Sequence, residues 1–278
     1  MVRELQRDEI INTTACLCIQ ACCHVPETLI SALEEAIKTE CGSAASILDQ
    51  IIENDRLAAE VERPCCQDTG LAVIFADLGR DCHTDFDLYE AINEGVRKGY
   101  TEGYLRKSAA APLSRVNTGD NTPAIVHLRL VEGDRLKLAV LPKGFGSENK
   151  SRLGMLTPSA GIKGVEDFIV ETARLGAASA CAPVILGVGI GGAFDSCPVL
   201  ARRQLLRPLG QPSSDGELAE LEKRCLDRIN DLGIGPMGLG GRTTALAVHI
   251  GAETTHIAGL PVAVNMMCHA LRHAEAEI

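Results

Sequence analysis

The stretch Ala124–Leu141, AIVHLRLVEGDRLKLAVL, decides the fold class. Apolar and polar residues alternate through Ala124–Val131 and again through Arg135–Leu141, on either side of Glu132-Gly133-Asp134. A period of two gives a strand one core face, and a polar, Gly-centred triplet between two such runs predicts an antiparallel hairpin. Outward from this sheet signal the periodicity turns helical. Ile10, Ile11, Ala15, Cys18, Ile19 and Cys22 recur at three-to-four spacing, Pro26 opens a second run through Leu29, Leu33 and Ile37, and Ser43 can cap a third through Ile47, Leu48, Ile51 and Ile52. Residues 1–62 therefore read as a helical lead-in. Gly70–Leu78, Pro183–Val188 and Thr243–Ile250 read as strands, and Asp87–Tyr104, Ile162–Leu175 and Glu217–Ile229 as helices. The expectation is one mixed α/β (α+β) domain over 1–278, with helices packed around a mixed sheet that contains the hairpin, and with no internal repeat.

The 278 residues carry 27 Lys+Arg against 37 Asp+Glu, a net charge of −10, and the basic residues are scattered. Binding to a phosphate backbone needs clustered positive charge, so nucleic acid is excluded as a partner. The longest uncharged apolar run, Ala182–Phe194, has 13 residues, short of the roughly 20 that cross a bilayer, so no membrane span is expected. The N-terminal residues mix both charge signs before any apolar stretch, unlike a secretory or transit peptide, which gives a cytoplasmic expectation. Twelve cysteines are many for a compartment that keeps thiols reduced, so some are candidate metal ligands and the rest small buried apolar groups.

Local motifs narrow the chemistry only partly. Gly187–Gly192 formally contains G-x-G-x-x-G after a strand, but no orderly acidic strand end follows it about 20 residues on, and Cys197-Pro198 interrupts the following helix. Cys16-x-Cys18-x3-Cys22-Cys23-His24 has the density of a metal site. On a helix, however, its thiols point in different directions, which favours core packing. Cys66, Cys181 and Cys268 stand in polar or Gly-rich company instead, at separations that match no local zinc or ferredoxin rule.

CQDTG (66–70), NTGDNTPAIVH (117–127), KGFGSENKS (143–151), CAPVILGVGIGG (181–192), GLGGRTTAL (238–246) and VNMMCHALR (264–272), in this order, resemble the iron–sulfur hydro-lyases of the class I fumarate hydratase family. The resemblance runs from about Leu48 to the C-terminus. It is nearest to the alpha subunit of the two-subunit enzymes, a group shared with L-tartrate dehydratase. It implies a [4Fe-4S] cluster held by Cys66, Cys181 and Cys268, with one iron open as a Lewis acid, and reversible removal of water from a hydroxy-dicarboxylate such as malate. It further implies that Gln67 and Asp68 contact substrate and handle protons, that Arg106 grips a carboxylate, that Gly146 offers a backbone N–H, and that His256 is an active-site histidine. Lys107 and Ala182 depart from a common proline and Phe145 from a common glycine, the last in a loop expected to approach substrate. Single-chain relatives continue past the equivalent of Cys268 into a domain carrying the catalytic base, so a beta subunit is expected to supply it here. A non-catalytic iron or redox sensor using the same cysteines is the alternative of another class, although it has no need of Arg106 or the KGFGS loop.

Overall fold

The computed structural model describes residues 2–278. Eight helices are α1 Arg7–Cys23, α2 Glu27–Thr39, α3 Gly42–Glu60, α4 Leu88–Glu102, α5 Phe145–Glu148, α6 Gly161–Gly176, α7 Ser196–Arg203 and α8 Gly216–Asn230. Ten strands are β1 Arg3–Glu4, β2 Leu71–Gly79, β3 Cys82–His83, β4 Ile125–Val131, β5 Leu136–Lys143, β6 Arg152–Leu156, β7 Val184–Gly192, β8 Ala245–Thr255, β9 Leu260–Met267 and β10 Ala274–Glu277. The fold is mixed α/β with a helical N-terminal segment, as the patterning predicts. The chain forms two compact units. One comprises residues up to Val25, Asp55–Gly144 and Arg272–Ile278; the other comprises Pro26–Asn54 and Phe145–Leu271.

The first unit is built on a four-stranded sheet in the order β10-β5-β2-β4. Both predicted strands of the 124–141 stretch form, but they do not pair with each other. Instead β2 lies between them, parallel to β4 (Ile74 opposite Val126) and antiparallel to β5 (Ile74 opposite Val140). The predicted hairpin is therefore corrected to a connection that straddles the end of β2, fixed there by the N–H of Asp81 donating to Gly133 O at 3.0 Å. The physical reason lies in β2 itself: Ala72 to Ala76 are buried on both faces, and such a strand belongs in the centre of a sheet. Ala72, Ile74 and Ala76 join Leu136, Leu138 and Val140 on the face covered by α1 and α4, through Ile10, Leu17, Cys18, Ile92, Val96 and Tyr100. The two helices cross closely because α4 presents glycine at the crossing, where a Cβ at Gly95 would stand 2.6 Å from Thr14 Cβ. Arg7–Thr39 is, by length and composition, apolar enough to cross a membrane, which the run-length reading missed. It is broken into two helices, and the apolar stripe of α1 forms part of this core.

The second unit repeats the arrangement with order β6-β9-β7-β8, β7 being parallel to β8 and antiparallel to β9. Helices α6 and α8 cover one face through Val165, Ile169, Leu221, Cys225 and Ile229. Short α7 packs against β7, where Cβ atoms at Gly187 and Gly189 would stand 2.2 Å from Ala201 O and 2.4 Å from Cys197 O. The G-x-G-x-x-G glycines thus lie within a strand and admit a helix, which is a packing role.

His249 on β8 is 3% exposed, with Nδ1 3.2 Å from Gln204 O, and burial together with the nearby Arg207 charge lowers its pKa to about 4. The unfolded chain, with a His pKa near 6.5, then binds more protons than the native one between those values, so stability falls as pH drops through that window. The full loss approaches about 3 kcal/mol. Urea unfolding at pH 7.5 and pH 4.5 should show a smaller acid loss in His249→Gln than in the parent; equal losses would refute the assignment.

Candidate active site

In the first unit the segment Cys66-Gln67-Asp68-Thr69-Gly70 enters β2 as a loop held from several sides. Asp68 Oδ1 accepts the Gly70 N–H at 3.0 Å, closing an Asx turn. Gly70 has φ +70, and a Cβ there would stand 2.4 Å from the Lys143 carbonyl carbon, so only glycine fits. Buried Tyr100 donates its hydroxyl to Thr69 O at 3.0 Å, and Asn121 Nδ2 donates to Gly70 O at 3.2 Å. Arg272, 1% exposed, donates Nη2 to Asp68 O at 2.8 Å. The loop also sets its neighbour: Thr69 Oγ donates to Arg106 O at 3.0 Å, and Asn121 Oδ1 accepts the N–H groups of Ser108 and Ala109. Arg106 and Gln67 are exposed, while Cys66 and Asp68 are half-buried. Gly144 lies beside this loop, its ideal Cβ position 3.1 Å from Asp68 Oδ2 and 3.5 Å from Arg272 Nη2.

In the second unit Cys181 and Cys268 are brought together. Cys181 precedes β7 with a left-handed backbone (φ +54), and Cys268 follows the antiparallel β9, so both fall at one end of the sheet. The N–H of His269 donates to Cys181 O at 3.2 Å, tying the two loops. The N–H of Met237 donates to Ala182 O at 2.8 Å, and Gly238 (φ +73) allows this loop to approach Ala178 closely. The GLGG motif therefore packs the Cys181 turn. The backbone N–H groups of Arg242 and Thr243 donate to Glu40 Oε1 at 2.7 and 2.5 Å, anchoring the far end of that motif. Gly146 is exposed in α5.

His256 stands elsewhere. It lies on the exposed β8–β9 connection, where its Nδ1 accepts the Ala258 N–H at 3.1 Å. The whole of β9, eight residues, separates it from Cys268, and at about 3.3 Å per residue that amounts to roughly 25 Å.

The thiols differ in their fitness as ligands. Burial pushes those of Cys22 and Cys225 up to about 12 and that of Cys197 to about 11, so they stay protonated at neutral pH. Cys181 is exposed, and Cys66 and Cys268 are half-buried at loop ends. Soft sulfur donors on fixed backbone at accessible loop ends fit an iron–sulfur cluster. Among the described residues no three His, Cys, Asp or Glu side chains gather tightly enough for a single metal ion.

Tyr100, Asn121 and Arg272 are the residues that sequence reasoning missed. Asn121 and Arg272 lie inside the motifs that carry the resemblance, which was the available signal. Tyr100 offered none beyond its helical register.

Two mixed sheets with antiparallel strands, each with a Cys-bearing loop fixed at one end, set this chain apart from the doubly wound dinucleotide-binding class. The model of the family Fumarate hydratase (Fumerase) matches residues 11–277, and the chain belongs to that family of hydro-lyases. It is 41% identical over 264 residues, 92% of either chain, to a protein of Methanocaldococcus jannaschii provisionally named L(+)-tartrate dehydratase subunit alpha. It is 32% identical over 260 residues to the L(+)-tartrate dehydratase subunit alpha of Escherichia coli strain UTI89, covering 92% of this chain and 86% of that one.

Proposed function

We propose that this chain is the alpha subunit of an iron–sulfur hydro-lyase that reversibly dehydrates a hydroxy-dicarboxylate, malate to fumarate. The observation that carries the reading is the backbone bond between His269 and Cys181, which gathers two cysteines of the resembling motifs at one sheet end. Cys66, Cys181 and Cys268 are the proposed ligands of a [4Fe-4S] cluster. When bound, such a cluster supplies an open iron that acts as a Lewis acid toward the substrate hydroxyl.

The other assignments concern the chain's own groups. Arg106, on a backbone fixed by Thr69, grips a substrate carboxylate with its planar fork, a local cation that the net charge of −10 makes necessary. Gly146 offers a backbone N–H to a carboxylate, and Gln67 contacts the substrate. Asp68, held in place by the turn its Oδ1 closes with Gly70, is the proposed proton-transfer group. His256 is retained as an acid–base residue, but its distance from Cys268 means that it reaches substrate only where a second copy presents it. A beta subunit completes the assembly, and the cytoplasm, where thiols remain reduced, is the proposed compartment. L-tartrate is the second reading, favoured by the names of the relatives.

The test is anaerobic reconstitution of the chain with its co-expressed partner subunit, followed by assays with malate, fumarate and L-tartrate. Turnover of one of these is expected, and a cluster-loaded complex inert to all three would favour the sensor reading. In the active complex Arg106→Lys keeps the charge but loses the fork. It should lower kcat/KM by roughly 10- to 100-fold, most of the ~1.5–3 kcal/mol of a charged hydrogen bond; an unchanged value would remove Arg106 from the site.

A further inference from the structure

The KGFGSENKS segment continues beyond Gly146 into residues to which the proposed reaction gives no role. Helix α5 is a single turn, too short to hold its own shape, so its orientation must come from side chains that tie it down. Glu148 supplies that tie. One carboxylate oxygen is ion-paired with Arg202 of α7, the two side chains being only 18% and 17% exposed. The other accepts from Asn265 Nδ2 at 3.0 Å. Asn265 is 6% exposed on β9, three residues before Cys268. Ser151 reinforces the link: its N–H donates to Glu148 O, and its hydroxyl oxygen accepts from Asn265 Nδ2 at 3.3 Å and from the Met266 N–H at 3.0 Å.

A half-buried ion pair is a modest source of net stability, because desolvation offsets part of the attraction, whereas its directed geometry fixes one arrangement. Here the arrangement joins α5 to the strand that leads into Cys268. A cavity of about 190 Å³ borders Glu148, Arg202 and Asn265, room for several waters that could hydrate an altered pair without collapse of the core.

We infer that Glu148, braced by Arg202 and Asn265, is a positioning residue that sets where the Gly146 backbone N–H stands relative to the Cys268 end of β9. The inference rests on the proposed role of Gly146 in carboxylate binding. It predicts that weakening the pair loosens the grip on substrate while the chemical step is retained.

The variants are Glu148→Gln, which keeps an acceptor for Asn265 but abolishes the ion pair, and Arg202→Met and Arg202→Lys, which respectively remove and restore the opposing charge. In the reconstituted complex, with malate, fumarate and L-tartrate as probes, Glu148→Gln and Arg202→Met should raise KM about tenfold with kcat within about twofold. Arg202→Lys should return KM most of the way to the parent value. Hydrogen exchange supplies a readout independent of turnover: amides of 145–151 should exchange about tenfold faster in both disruptive variants, with those of Val184–Gly192 unchanged. Lowered thermal stability with unchanged KM and unchanged exchange at 145–151 would mean that the pair is merely structural. A parent complex inert to all three acids would refute the proposed function, and exchange at 145–151 would then alone decide whether Glu148 holds the turn.

Discussion

Replacing any one of Cys66, Cys181 or Cys268 with serine is expected to abolish the visible iron–sulfur absorption of the reconstituted protein and to lower turnover by more than about a hundredfold. The magnitude follows from the ligand chemistry. Changes to groups that merely orient a metal ligand cost on the order of 10- to 100-fold in affinity or activity, and losing a soft thiolate itself costs more. The contrast with other cysteines sharpens the test. Cys22, Cys197 and Cys225 are buried with thiols held at about 11 to 12, so they are poor thiolates at neutral pH, and their alanine variants should retain the absorption. Cys16 and Cys41 are exposed but lie outside every motif of the resemblance, and the same retention is expected of them. Iron content and absorption measured across this panel decide the matter. An equal requirement for Cys16 or Cys22 would overturn the assignment, as would full absorption in Cys181→Ser.

Strand positions were legible in the sequence because alternation reports which face of a segment is buried. Strand neighbours were not, because alternation carries no information about which edge pairs with which. The 132–135 connection is short enough for a hairpin, yet it curls over the end of β2, and the same device recurs where β8 and β9 flank β7. The two sheets therefore share a topology that leaves no repeat in the residues, since each is filled by different side chains. Strands β6 and β10 went unread because five and four residues are too few to show a period, and β9 went unread because Leu260–Met267 is buried along nearly its whole length and so shows no alternation. The candidate site divides along similar lines. Cys66, Asp68, Cys181 and Cys268 stand out by residue type in short motifs. The groups that fix their loops act across 31, 51 and 204 positions of chain, for Tyr100, Asn121 and Arg272, and no local pattern encodes such a bond. His256 shows the converse: a motif offset nominated it, and only the run of β9 reveals that it lies beyond the opposite strand end from the cysteine pair.

The chain purified alone should bind the cluster yet hydrate fumarate negligibly, and should gain turnover only when a beta subunit is added. Elimination of water from a hydroxy-dicarboxylate needs a base for the carbon-bound proton and donors for two carboxylates. Of the groups proposed here, Arg106 supplies one cationic grip and Gly146 a neutral backbone N–H, which leaves the second carboxylate of a dianion without a counter-charge, and Asp68 is a single proton-transfer group. His256 cannot complete the set in its own chain, because β9 holds it roughly 25 Å from Cys268. A partner bringing a base and a second cation would complete it, through an interface of the obligate kind, on the order of 2,000 Å² or more. Size-exclusion chromatography of the mixture should then show a stable complex whose activity follows its formation, at protein concentrations where either subunit alone is inert. Full activity from this chain by itself would show that Asp68 suffices as the acid–base group, or that a second copy delivers His256, and the dependence on a distinct partner would have to be given up.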